Sequence, residues 1–406
     1  MAVRIEKLVA KGLGLAHVDG RTALIGNSLP GESVVTSALR EEKGVLRGDA
    51  VDILEPSPLR ISPICPYYGI CGGCDFQIVS EKSSAELKEE IVKDNLSRIA
   101  HLETLPEFLS PVYGNAHGYR SRARFHVDLR TKKHGFLASR SNSLVEIESC
   151  PVLNKDLAAL LSGKDSRLFQ AARSAMFENR MSRTGFAEVA AFAGDDDISL
   201  SDKAVRITAG TIPYYVSSRV FFQSNPILLP KLLEFVKENA VGDEIMDLYS
   251  GVGTFSAAFE GSGKNVWAVE KQRECLILSK KNAPSAYSFT GDVAEWGRKM
   301  GRRVSTVIVD PPRVGLGDGV PEMITSWNPE RIIYVSCNSV TLARDLPHFS
   351  GYSIDKARVF DFYPGTSHVE TVVLLSKGMV DSRKVKVDFF LEDMDLSEFK
   401  GKSTYE

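Results

Sequence analysis

Residues 206–406 predict an α/β fold, a doubly wound parallel sheet, preceded by a small β-barrel and a β-rich middle segment. Three observations carry this prediction. Short apolar strands alternate with helical patterns from Glu244 onward, the mark of crossover connections within one parallel sheet. These strands end on glycine turns, carboxylates or a thiol, at the edge where such a sheet binds its ligands. In residues 1–60, by contrast, short apolar segments alternate with turn signals, which points to closely spaced strands.

The chain has 406 residues, which calls for two or three domains. Met1 to Val9 lacks the apolar core of a signal peptide, and no apolar run is long enough to span a bilayer. A cytoplasmic protein with no membrane partner is therefore expected, and a monomer is expected as well. A formal net charge of -2 does not advertise a nucleic-acid binder, so any basic surface must be local.

Residues 1–60 read as a five-stranded barrel of the OB type. Asp19-Gly20 between Leu15–Val18 and Thr22–Ile25 is a hairpin signal, and Gly48–Leu54 reads as a closing strand. Such barrels often bind oligonucleotides, yet eight Lys/Arg are matched here by eight Asp/Glu. RNA binding and a purely structural role both fit.

Residues 61–205 carry the cysteine cluster. Cys65, Cys71 and Cys74 are spaced C-x5-C-x2-C, with Gly69, Gly72 and Gly73 allowing a tight fold, and Cys150 is followed by Pro151. Three close thiols plus one distant Cys-Pro is a ferredoxin-like pattern. Soft all-thiolate ligation favours a [4Fe-4S] cluster, with structural zinc as the alternative. A helix is predicted over about 81–101. Beyond it, Arg120, Arg122 and Arg124 alternate along one strand, either as a solvated face or as a phosphate-contacting one. Glu188–Phe192 and Val205–Thr208 read as further strands.

In residues 206–406 the strand Glu244–Tyr249 runs into Ser250-Gly251-Val252-Gly253-Thr254 and a helix through Phe255, Ala258 and Phe259. Asn265–Glu270 follows, its terminal carboxylate placed to take ribose hydroxyls. Later strands lead to Asp292, to Asp310-Pro311-Pro312-Arg313 and to Ser336-Cys337-Asn338. Ser256 stands where a dinucleotide turn wants a third glycine, and no Walker lysine is present in the turn. NAD and ATP are disfavoured, leaving S-adenosylmethionine as the nucleoside ligand. Cys337 falls at a strand end before a helix that Ser339 is expected to cap, where the helix dipole lowers a thiol's pKa. Taken alone, a cysteine here is more often a small buried core residue.

Together these residues resemble the S-adenosylmethionine-dependent RNA uridine-5-methyltransferases. The matches are Phe222–Asn225, Asp247–Gly253, Asp310–Arg313, Ser336–Asn338 and His368-Val369-Glu370, in that order. The four cysteines look like the family's iron-sulfur branch, and residues 1–60 like its N-terminal TRAM domain. The resemblance implies a Rossmann-like methyltransferase domain with Cys337 as nucleophile and Glu370 as base. It also implies cofactor contacts from Gln223, Tyr249, Glu270, Asp292 and Asp310, and from Thr254 less securely because some relatives carry Asn there. In that family the helix near 81–101 packs on the catalytic domain.

The residues suit this chemistry. Uracil C5 is too weak a nucleophile to take a methyl group until a thiolate adds to C6, and a base must later remove the C5 proton. Burial of Glu370 on a terminal hairpin would raise its pKa and suit it as proton acceptor. The target uridine must also be unstacked to reach the thiol. Large-subunit rRNA is the expected substrate, with the tRNA T-loop as the alternative. An amino-methyltransferase is disfavoured by Arg313 and Cys337, and a non-catalytic iron-sulfur RNA-binding protein by the intact Cys337, Glu370 and Glu270. Residues from about 381, including Val385–Leu391, read as a possible terminal strand and a tail.

Overall fold

A computed structural model describes residues 2–162, 166–178, 185–298, 300–301 and 303–378. The candidate strand Val385–Leu391 lies outside the described residues. An eight-stranded sheet organises the rest, in the order Tyr287–Thr290, Asn265–Glu270, Glu244–Leu248, Thr306–Val309, Arg331–Ser336, Glu370–Lys377, Tyr352–Phe360, Glu107–Val112. The first five strands run parallel. Glu370–Lys377 then inserts antiparallel to both of its neighbours, and Glu107–Val112 closes the edge parallel to Tyr352–Phe360.

Apolar runs become strands here because both faces of the sheet are covered. Ile332 to Val335 are all 0% exposed. Ile333 and Val335 point into one core with Leu232, Val236 and Phe255, while Ile332 and Tyr334 point into the other with Val92, Leu96 and Trp327. Two local expectations differ. After the glycine turn the chain makes only a single 3-10 turn, Ser256–Phe259, which is followed by Gly261 at φ +70. The helix after Cys337 is capped by the Asn338 side chain, which accepts from Val340 N–H at 3.1 Å. Ser339 does not serve as the cap; its hydroxyl accepts from Asn95 Nδ2 at 2.8 Å.

The N-terminal residues form a barrel-like sheet of seven strands rather than five, because the three-residue strands Lys7–Val9 and Arg40–Glu42 add to it. Asp19 and Gly20 both take positive φ, as a two-residue hairpin turn requires. The middle segment holds a five-stranded antiparallel sheet with Arg122–Asp128 at its centre. Ala123, Phe125 and Val127 face its core; Arg122, Arg124 and His126 face outward. Arg120 precedes this strand and bridges to Leu153 instead, so only two of the three arginines share the face. Arg124 is offset there by Glu188, 3.3 Å away across the strand pair.

The helix Glu81–Arg98 and the strand Glu107–Val112 lie within sequence segment 61–205, yet both are built into the large sheet and its cores. The helix is capped by Ser80, whose side chain accepts from Ser83 N–H. Its buried polar face explains why it sits where it does. Lys88 Nζ lies 2.6 Å from Asp361 Oδ1, with side chains 1% and 0% exposed, and Ser84 donates to Asp361 Oδ2 at 2.8 Å. Lys88 also donates to the Tyr363 carbonyl at 3.3 Å. Removing one member of such a pair strands a buried charge, at a cost of about 3–5 kcal/mol. Lys88→Met is therefore expected to lose stability of that order in urea unfolding. Lys88→Met combined with Asp361→Leu should recover most of it; equal loss in single and double variants would show that packing, not charge, holds the helix.

Candidate active site

Strand register brings the thiol and the terminal-hairpin carboxylate together. Ser336 pairs with Thr371 and Phe360 with Glu370, so Cys337 and Glu370 emerge at the same edge of the sheet. The neighbouring strand ends at Val309, which pairs with Tyr334 and delivers Asp310 to that edge. Glu370 is 2% exposed. Its carboxyl is pushed well above the usual range by burial, with Asp310 adding to the rise and Arg313 opposing it.

The Cys337 thiol differs from expectation. Burial pushes it up to about 12, Glu370 and Asp310 add to the rise, and Arg313 and the backbone oppose it. The helix that should have activated the thiol spans only Ser339–Asp345, while two carboxylates and the sheet edge surround the sulfur. Repulsion and desolvation therefore outweigh the dipole. Asp310 is raised to about 7 by burial and by Asp247. The loop carrying Arg313 is tied to the cysteine loop, since the Arg313 carbonyl accepts from Asn338 Nδ2 at 2.8 Å and Thr341 Oγ1 at 3.2 Å.

The carboxyl ends of two further parallel strands, leading to Tyr249 and Glu270, lie along the same edge. Glu270 ends its strand with each oxygen accepting one backbone N–H, from Gly251 at 2.9 Å and from Gln272 at 2.6 Å. That leaves further acceptor capacity on both oxygens. Tyr249 takes φ +60 just before the glycine turn, and a Cβ added at Gly251 would meet nothing within 4 Å. Gln223 is buried with its side-chain oxygen unpartnered, a polar atom ready for a ligand. The Thr254 carbonyl is taken by the Tyr214 hydroxyl at 2.9 Å. Asp292 caps a short helix through Ala294 N–H and pairs with Lys271 at 3.3 Å. Burial opposes its ionisation, but Lys271 and two backbone N–H groups outweigh that and hold its pKa low.

Three groups escaped the sequence reading of roles. Asp247 is fully buried, receives Ser256 N–H and Oγ on one oxygen, and leaves the other unpartnered. Burial raises it to about 7, against the Ser256 hydrogen bonds and with Glu270 adding to the rise. Its signal was legible, because an aspartate inside Ile245-Met246-Asp247-Leu248 has no apolar reason to be there. Asn282 holds the glycine turn by donating to the Val252 carbonyl at 2.8 Å. Lys88 is the third, and its role depends on a partner far away in sequence.

Cys65, Cys71, Cys74 and Cys150 line one cavity of about 290 Å³, together with Arg120, Arg122 and Tyr363. All four thiols are unpaired. Among the described residues no three His, Cys, Asp or Glu side chains gather closely enough to enclose a metal ion. Gly73 N–H donates to Cys71 Sγ at 3.4 Å. A second cavity of about 450 Å³ contains Cys337, and both cavities are lined by Arg313 and His368. Asp75, next to Cys74, accepts from Ser367 N–H and Oγ, each at 2.7 Å, so the cysteine loop is pinned to the loop leading into Glu370. Among the described residues no helix is long and apolar enough to cross a membrane.

The charges around Cys337 make a prediction with a definite sign. At pH 9 a thiol of pKa about 12 is ionised to about one part in a thousand. Glu370→Gln removes a charge that raises the thiol, so iodoacetamide labelling of Cys337, followed by peptide mass spectrometry, should accelerate. Arg313→Gln should slow it. Equal rates in all three proteins would mean that these charges do not reach the sulfur.

A family profile described as tRNA (Uracil-5-)-methyltransferase matches residues 300–378. Across nearly the whole chain, the 23S rRNA (uracil(1939)-C(5))-methyltransferase RlmD of Chromobacterium violaceum is 28% identical, covering 94% of this chain and 86% of that protein. A Thermotoga maritima protein described as an uncharacterized RNA methyltransferase is 30% identical, covering 93% and 99%. Among solved structures, the Pyrococcus abyssi tRNA (uracil-54, C5)-methyltransferase in complex with S-adenosyl-L-homocysteine shares the fold, with a TM-score of 0.70 at 24% identity, covering 92% of this chain and all of that one. With the thiol, the Glu370 carboxyl and the strand ends at Tyr249 and Glu270 on one sheet edge, the chain belongs to the S-adenosylmethionine-dependent RNA uracil-5-methyltransferase family.

Proposed function

We propose that this chain methylates C5 of a uridine in 23S rRNA, with Cys337 as nucleophile and Glu370 as base. One observation carries the residue roles: the pairing of Ser336 with Thr371 sets a thiol beside a buried carboxyl at the ligand edge of the sheet. The choice of rRNA is supported by relatives of several bacteria that bear the 23S rRNA name over more than nine-tenths of this chain.

S-adenosylmethionine, when bound, supplies an electrophilic methyl group. Glu270 would hold its ribose hydroxyls, Asp292 and Tyr249 its adenine, and Gln223, Thr254 and Asp310 the end that carries the sulfonium. Cys337 Sγ bonds to C6 of the uracil and shifts the ring's electron pair towards C5, which becomes nucleophilic. Once C5 carries the methyl group, Glu370 takes the C5 proton and the S–C6 bond breaks, returning its electron pair to sulfur. Both the thiol and the carboxyl are raised, so the pair must release one proton before the thiolate attacks and a second before Glu370 can accept the C5 proton; the Arg313 charge favours both releases.

The middle cavity fits a [4Fe-4S] cluster by its donor set: four soft thiols, unpaired, with N–H donors from Gly73 to Cys71 and from Val152 and Leu153 to Cys150. Cys65, Cys71, Cys74 and Cys150 would hold it and so fix the loop that Asp75 ties to Ser367. Residues 1–60 would serve as a TRAM-type RNA-binding module.

Trapping on 5-fluorouridine RNA tests the mechanism, since Glu370 cannot remove fluorine as a proton. The wild-type protein with S-adenosylmethionine should form a covalent adduct with 23S rRNA but not with tRNA. Cys337→Ala should abolish adduct and methylation while binding the cofactor normally. An adduct on tRNA alone would reassign the substrate, and cofactor loss in Cys337→Ala would make the cysteine structural. Anaerobically purified protein is expected to hold about four iron atoms per chain and an equal amount of acid-labile sulfide. In Cys71→Ser both should fall away; stoichiometric zinc in the wild type would overturn the cluster assignment.

A further inference from the structure

The cavity that holds Cys337 is not closed by the catalytic sheet. Its walls also include Ala10 and Lys11 from the N-terminal barrel, Asp75 from the cysteine loop and Lys88 from the helix Glu81–Arg98. Lys11 and Gly12 sit at the tip of the hairpin in which Val9 pairs with Leu13. The tip is pressed onto the loop before Glu370, since a Cβ added at Gly12 would lie 2.9 Å from Ser367 Cβ and 3.6 Å from the Phe76 ring.

Lys11 takes φ 70 and ψ 20, inside the left-handed region. A residue with a Cβ is strained there, whereas glycine would adopt it freely. An exposed lysine kept in such a conformation at a cavity mouth calls for a role for its side chain. The other cations of the cavity are already engaged. Lys88 is buried against Asp361, and the Arg313 guanidinium lies 3.4 Å from the His368 ring. Among the described residues the Lys11 side chain has neither a hydrogen bond nor an ion pair.

From this placement we infer that Lys11 anchors a backbone phosphate of the RNA strand whose uridine enters the Cys337 cavity. The inference rests on the RNA methylation reading above and assigns the barrel a place in the active-site wall. A uridine drawn out of its stack carries a phosphate on each side. The cavity wall itself adds a carboxylate, Asp75, so an anionic strand is held there only if a free cation stands at its mouth.

The test compares full-length wild type, Lys11→Gly, Lys11→Arg and Lys43→Gly on unmodified 23S rRNA transcripts. Glycine suits the left-handed turn, so Lys11→Gly should be at least as thermally stable as wild type. Its Kd for RNA should rise several-fold and its log K against log salt slope should shrink by about 0.7, the share of one phosphate on a single strand. The kcat at saturating RNA should stay near wild type, and Lys11→Arg should restore affinity and slope. Lys43, another exposed lysine with positive φ in the barrel but outside this cavity, should leave all of these unchanged. Wild-type affinity and slope in Lys11→Gly, or an equal loss in Lys43→Gly, would overturn the assignment to Lys11 alone. Wild-type protein that neither binds nor methylates RNA would instead remove the functional reading on which it stands.

Discussion

A single buried ion pair sets the relation between the two halves of the chain. Lys88 reaches from a helix early in the sequence to Asp361, at the end of a strand more than two-thirds along it. A charge removed from water is tolerable only when paired and hydrogen-bonded, and here Ser84 and the Tyr363 carbonyl complete the shell. The pair therefore rejects any packing of the helix that separates them. Because the helix lies between the cysteine loop and the strand Glu107–Val112, its position also constrains everything upstream. The barrel tip and Asp75 arrive at the Cys337 cavity as a consequence.

Along the sheet edge that carries Cys337 the protein concentrates carboxyl groups in a low-dielectric setting. Asp247, Glu270, Asp310 and Glu370 come from four separate strands, and mutual repulsion with burial raises Asp247, Asp310, Glu370 and the thiol together. A site of this kind holds its protons in the free state and favours ligands that bring positive charge, as a sulfonium does. It offers a polyanion no counter-charge of its own. The free cation at the rim, Lys11, supplies that counter-charge from the opposite end of the chain.

Much of the fold was legible from residue pattern. Unbroken apolar runs such as Ile332–Val335 could only be strands covered on both faces, and Asp19-Gly20 could only be a tight turn. Where local reading failed, a tertiary partner had intervened. Ser339 is a good cap by composition, but its hydroxyl is occupied by Asn95. Arg120, Arg122 and Arg124 alternate perfectly in sequence, yet the strand begins only at Arg122. The cysteine that should have been acidified by a helix is instead raised by burial, and further by carboxylates that no sequence window places beside it.

The sequence by itself determined the identity of the chemical groups and the strand ends that carry them: a thiol, a terminal-hairpin carboxylate, a glycine turn and four clustered cysteines. Those follow from residue type and local periodicity, which act over a few residues. Only the tertiary structure decided which groups meet, how strongly each holds its proton, and that a barrel lysine stands at the same cavity as Cys337. Burial and charge–charge interaction depend on distance in space, and the register of Glu370–Lys377 and the docking of Glu81–Arg98 are what set those distances.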